Sequence, residues 1–334
     1  MRLDQRQILD LKSTISNLKS TINNPSSLDT RDILREDKTM RIYGIDFTSA
    51  PSRRKPLVCA IGELQGGLLQ VSGMETWTSY APFETFLAQP GPWTAGLDFP
   101  FGFPRAFLEA QILPNNWEAY IASLERFFTT DHRQDRQRYR AWIKAFRDRQ
   151  PPGDKHPKRA ADRQAGALSP LMVVGVPVGM MLLEGATRLR RAGVQVLPCR
   201  RNSDTRVVLE AYPGLAAARL LGARRAYKSE SRPTDAQRQV RAALLHALEN
   251  HAGEYYGGLG VRLVESVVAR CLDDRAGDHL DAVLCAVQAA WAASQRAAGW
   301  GLPADAPAAE GWIVDPAMQS LAGGDARDKN PSSG

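Results

Sequence analysis

The stretch GDHLDAVLCAVQAAW, residues 277–291, is apolar or small on nearly every side once its first turn is past. Leu280, Val283, Leu284, Val287 and Trp291 fall on one stripe at helical spacing, while Ala282, Cys285, Ala286, Ala289 and Ala293 make up a small-residue face. A helix of this kind is bound for the interior, and its small face permits close packing. Yet it opens with two acids, Asp278 and Asp281, three apart and so on one helical face. One reading is a capping box, with Asp278 as the N-cap and Asp281 three residues on, both favoured there by the helix dipole. The other is that the pair aims two carboxylates at one spot. The two readings are compatible.

The rest of the chain mixes strands and helices. RIYGIDFTSA, PLVCAIGEL and GLLQVSGMETW read as three consecutive strands, the last two joined at QGG as a hairpin. APFETFLAQPG reads as a short helix, and WTAGLDFPFGFP as a fourth strand broken by prolines. TRVVLEAYPG is a further strand. Helices are expected at about 214–222, 234–250, 260–272 and 278–298, with GWIVDP as a last short strand.

Three of these strands end alike, in an apolar run, an acid and a chain break: Asp46, Asp98 and Glu210. Ligands gather at strand ends in α/β sheets. An acid in an apolar strand carries a large desolvation cost unless it is paired or binds a metal. A local turn with side-chain bonding is the alternative at each position, but it must then be invoked three times. If the first and fourth strands end beside the first turn of the last helix, Asp46, Asp98, Asp278 and Asp281 converge. Such a cluster repels itself unless cations sit in it. Oxygen ligands suit Mg²⁺ or Mn²⁺, as one ion or two, and such ions serve phosphodiester hydrolysis without a protein nucleophile.

The net charge of +7 suits a polyanionic partner such as nucleic acid. No apolar run approaches the ~18 residues of a membrane span, and the N-terminus lacks the apolar core of a secretory signal, so a cytoplasmic protein is expected. Cys59, Cys199, Cys271 and Cys285 form no CxxC pair and read as free thiols; the histidines show no metal-binding spacing. Residues 1–39 are polar and read as a frayed or disordered extension, with Met40 as an alternative start. Residues 317–334 read as a tail, leaving residues 40–316 as one domain. Within it, residues 113–170 form a basic helical insertion with Tyr139, Trp142 and Phe146 interleaved. That insertion is either a solvated face or a phosphate clamp, and the aromatic spacing favours packing against the body.

The segments YGIDFTSA, GLDFPFGFP, VVLEAYPG, HLDAVLCAVQAAW and AEGWIVDP, in this order, resemble the predicted RNase H-like nucleases grouped as domain of unknown function 429. The resemblance implies an α/β fold of the ribonuclease H-like superfamily, shared with retroviral integrases and Holliday-junction resolvases: a mixed five-stranded sheet flanked by helices. It implies a metal-dependent nuclease in which Asp46, Asp98, Asp278 and Asp281 hold Mg or Mn. Glu210 belongs to the narrower family pattern and is a possible ligand or substrate contact. Lys228 is either a phosphate contact or a solvated surface lysine, and Glu310 either borders the site or is an ordinary surface acid. Two other functions fit the same fold. One is a non-catalytic nucleic-acid-binding protein. The other is an ATP-binding protein of the actin and sugar-kinase branch, for which the chain offers no strong glycine-rich phosphate loop.

Overall fold

In the computed structural model, which describes residues 39–128, 132–153, 155–229 and 231–321, the first apolar run forms β1 (Met40–Asp46). β2 (Leu57–Gln65) and β3 (Leu68–Trp77) follow as an antiparallel hairpin turning at Gly66 and Gly67, with β2 antiparallel to β1. A helix, α1 (Tyr80–Leu87), leads to β4 (Trp93–Leu97), which runs parallel to β1. The expected order of three strands, a helix and a fourth strand is what forms. The expected N-terminal extension, apart from Thr39, lies outside the described residues, as does most of the expected C-terminal tail.

The chain continues through α2 (Arg105–Ala110), α3 (Trp117–Leu124), α4 (His132–Arg147), α5 (Ala160–Ala165) and α6 (Val178–Ala192). β5 (Gln195–Leu197), β6 (Arg206–Glu210), α7 (Pro213–Leu220) and α8 (Asp235–Tyr255) come next. β7 (Gly260–Leu263), α9 (Glu265–Asp273) and α10 (Asp278–Ser294) complete the fold.

The sheet is mixed and has seven strands among the described residues, in the order β5-β6-β4-β1-β2-β3-β7, not the five expected. The two added strands lie at the edges and are three and four residues long. Runs that short carry no readable period-2 signal. β7 also takes the start of the 260–272 segment expected to be all helix, and the helix begins at Glu265. GWIVDP, expected as a strand, makes a single parallel bridge from Ile313 to Glu210. Its apolar residues Trp312, Ile313 and Val314 are buried by packing instead. Met318, within the segment read as a tail, is also buried, and its carbonyl accepts from the Trp312 indole.

Side chains alternate across β1. Ile42 belongs to the core shared with α7 to α10, whereas Tyr43 and Ile45 belong to the core shared with α1, α3, α4 and α6. Gly44 and Asp46 therefore share the α10 face. The same parity puts Gly96 and Asp98 on that face, since Ala95 and Leu97 lie in the other core. Gly44 and Gly96 are register partners. A Cβ at Gly44 would fall 2.0 Å from the Ala282 carbonyl oxygen, and one at Gly96 would fall 2.4 Å from that of Cys285. The small face of α10 thus lies directly on two adjacent glycines, backbone against backbone, and the helix is buried along nearly its whole length. Gly96→Ala is expected to destabilise the protein by about 1–3 kcal/mol, because the colliding atoms are backbone and cannot swing away. Urea unfolding would show this as a lower midpoint at unchanged slope.

The basic insertion packs as its aromatic spacing suggests. Tyr139, Ile143 and Phe146 of α4 are buried, and Trp142 stands edge-on to Phe103 and Phe107. Arg136 fastens α4 to the chain beyond β1, donating to the Ser49 carbonyl and to buried Glu184. The four cysteines are free thiols, and no described helix is long and apolar enough to cross a membrane.

Candidate metal centre

The glycine seat of α10 fixes where its first turn arrives, which is over the C-terminal ends of β1 and β4. Asp46 ends β1, and Asp98 follows directly on β4, its amide donating to the Ile45 carbonyl. Asp281 reaches down from α10. One carboxylate oxygen from each of Asp46, Asp98 and Asp281 lies within 4.8 Å of the other two. Asp46 is 6% exposed and Asp281 fully buried, while Asp98 is partly exposed.

Neither acid of α10 caps the helix, contrary to the capping-box reading. The N-cap residue is Gly277, in the left-handed region at φ +78°, with no side-chain bond. Asp274 caps from outside, accepting from the amides of Ala276 and His279. A Cβ on Gly277 would also fall 2.8 Å from the Lys228 Cβ. Both aspartates are thereby released from the helix end.

Their partners differ. Asp278 stands outside the three-oxygen set and pairs with Lys55 at 2.7 Å. Asp281 accepts from the Tyr227 hydroxyl at 2.6 Å and from the Lys228 ammonium. Lys228 thus reaches the cluster with its ammonium, although its side chain as a whole is 45% exposed. Asp46 and Asp98 accept no side-chain or backbone hydrogen bond from the described residues.

Electrostatics follow from that imbalance. Burial, then Asp278, Asp281 and Asp98, push the Asp46 carboxyl well above the usual range. Burial and Asp281 push Asp98 up to about 7, against the pull of Lys228. Burial also raises Asp278, which Lys55 partly offsets. Burial alone would lower Lys228, but Asp281 and Asp46 outweigh it and the net shift is upward.

Glu210 stands outside the three-oxygen set, although its charge adds to the upward push on Asp98. It is the register partner of Leu97, not of Asp98, and so takes the opposite face of the sheet. Both its oxygens accept from the guanidinium of Arg159, at 2.5 and 2.8 Å, and one also accepts from the Phe101 amide. Arg159 is itself buried and donates to Asp162 and to the Glu310 carbonyl. The Glu310 carboxylate accepts from the Arg105 amide. Arg159 comes from the basic insertion, where nothing in the sequence distinguishes it from the many other cations. Lys55 and Tyr227 were also passed over, although Tyr227 sits beside Lys228 in AYK. A second missed signal was in plain view: YGID and AGLD share a Gly-x-Asp pattern, in which the glycine seats α10 and the aspartate two residues on meets its first turn.

The chain matches the family described as protein of unknown function DUF429 over residues 44–307. It belongs to that family. No curated protein and no solved structure matches the chain significantly. The DUF429 match covers β2 through α10 and β1 beyond its first four residues, and hence all four aspartates.

The three carboxylates could hold a metal ion. Two of them accept from no donor among the described residues, so their oxygens are available to a cation. Asp98 would make the binding of a cation pH-dependent. It keeps its proton in the fold to about pH 7, whereas an unfolded carboxyl loses it near ~3.9. Between those values the folded state holds the extra proton, so metal-free stability falls as pH rises through the window. A cation would have to displace that proton and the one held by the raised Asp46 carboxyl, so its affinity should rise over the same window by at least about tenfold per pH unit. Mn²⁺ titrations and EDTA melts at several pH values should move in these opposite directions.

Proposed function

We propose that the protein is a divalent-metal-dependent nuclease on an RNase H-like fold, acting on DNA or RNA. The observation that carries this reading is Asp46: a buried carboxylate with no donor among the described residues, set against two more carboxylates. Asp46, Asp98 and Asp281 hold Mg or Mn, and Asp278 with Lys55 stands beside them. A cation held there would supply an activated water and would neutralise charge building on the phosphate. Tyr227 and Lys228 orient Asp281. Lys228 also carries positive charge to the place where a phosphate would approach. Charge matching supports a single ion: four aspartates against two lysines leave an excess that one dication would neutralise. The strand order β6-β4-β1-β2-β3, with β1 to β3 antiparallel and β4 and β6 parallel to β1, supports the RNase H-like assignment. The net charge of +7 supports a polyanionic substrate.

Cleavage of labelled single-stranded, duplex and branched DNA and RNA with Mg²⁺ or Mn²⁺ tests the proposal. Activity should vanish in EDTA and in Asp98→Asn. Salt-sensitive binding without turnover on any substrate would favour a non-catalytic binding protein, and equal activity in Asp98→Asn would remove the mechanism.

A further inference from the structure

Beside Asp98 opens a cleft of about 520 Å³, a size typical of sites for small organic molecules. Its two sides differ in chemistry. One is apolar: Leu168, Val176 and Met181 line it, with half-buried Tyr212 adding an aromatic ring. Leu168 is 44% and Val176 55% exposed. Exposed apolar side chains gathered in a concavity mark a place where something binds. The other side is cationic, formed by the ARRAYK segment, with Arg224, Arg225 and Lys228 all on the cleft. Arg224 uses one nitrogen on the carbonyls of Ala165 and Gly166, which holds the segment in place. The acids Asp162 and Glu210 also border the cleft, but both are held by Arg159.

A ligand matching these sides has a flat, weakly polar ring and an anionic group. We infer that the cleft receives one unstacked nucleotide of a single strand, with its base against Val176, Leu168 and Tyr212 and its phosphate towards Arg224 and Arg225. The inference rests on the nuclease reading for the origin of the ligand, and it narrows the substrate to single-stranded or locally opened nucleic acid. A stacked duplex presents no free base to such a cleft, whereas an aromatic and apolar wall takes any base face.

The test uses AMP, adenosine and ribose 5-phosphate, titrated calorimetrically into the full chain in EDTA, so that no metal or turnover enters. AMP should bind at least about tenfold more tightly than either fragment. Val176→Glu and Arg225→Glu, both at exposed positions, should each weaken AMP by about tenfold while leaving the melting temperature unchanged. Absent AMP binding, ribose 5-phosphate binding as tightly as AMP, or both variants binding like the parent would overturn the inference. AMP binding without Mn²⁺-dependent cleavage would sink only the nuclease reading. Cleavage that prefers intact duplex, with no AMP binding, would sink only this one.

Discussion

Replacing Asp46 with asparagine is expected to raise the melting temperature of the metal-free protein while removing its response to Mn²⁺. The Asp46 carboxyl is buried, accepts no hydrogen bond from the described residues, and lies against two other carboxylates. An amide of nearly the same shape carries no charge to desolvate and can donate to Asp98 or Asp281. The gain should be about 1–2 kcal/mol at neutral pH, within the range of single stabilising substitutions, whose recurrent cost is lost function. Loss of a ligand should weaken Mn²⁺ by at least about a hundredfold, since removing even an outer partner of a metal ligand costs up to that much. Melts with and without Mn²⁺ read both effects. A variant that melts lower in EDTA, or that keeps the Mn²⁺ response, would show that Asp46 is a structural acid.

The second large effect lies at the end of β6, outside the three-oxygen set. Arg159→Met should cost about 3–5 kcal/mol, because it strands two buried carboxylates, Asp162 and Glu210, without their cation. Burial works against the charged Arg159, but its two acids outweigh it and raise its pKa well above the ordinary value. Adding Glu210→Gln to Arg159→Met should restore part of the loss, because one stranded charge is then gone. Glu210→Gln alone should lower stability while leaving Mn²⁺ affinity nearly unchanged. Urea unfolding and Mn²⁺ titration separate the two. A large loss of Mn²⁺ affinity in Glu210→Gln would instead make Glu210 a ligand.

The contrast between Glu210 and Asp98 shows what could be read from the chain. Both end apolar strands, and in the sequence they look alike. Their separation depends on the β4–β6 register, which pairs Glu210 with Leu97, and no local pattern encodes a cross-strand register. Asp46 and Asp98 were legible because a charged residue at the end of a buried run needs an explanation. The burial of α10 was legible from its all-round apolar pattern. The choice between Asp278 and Asp281 was not, because it turns on Gly277 serving as the N-cap and on Lys55 arriving from a distant loop. Arg159 gave no signal among the many arginines of its segment. β5 and β7 are too short to show a period, and their strand character comes from the neighbours they pair with.

The most direct measurement is a crystal of the protein soaked in Mn²⁺ and examined for anomalous scattering. A peak within ligand distance of Asp46, Asp98 and Asp281, at about 2.0–2.3 Å from their oxygens, is the predicted result. An anomalous map without density there at millimolar Mn²⁺ and a pH above 7, or with Mn²⁺ bound only elsewhere on the surface, would contradict it.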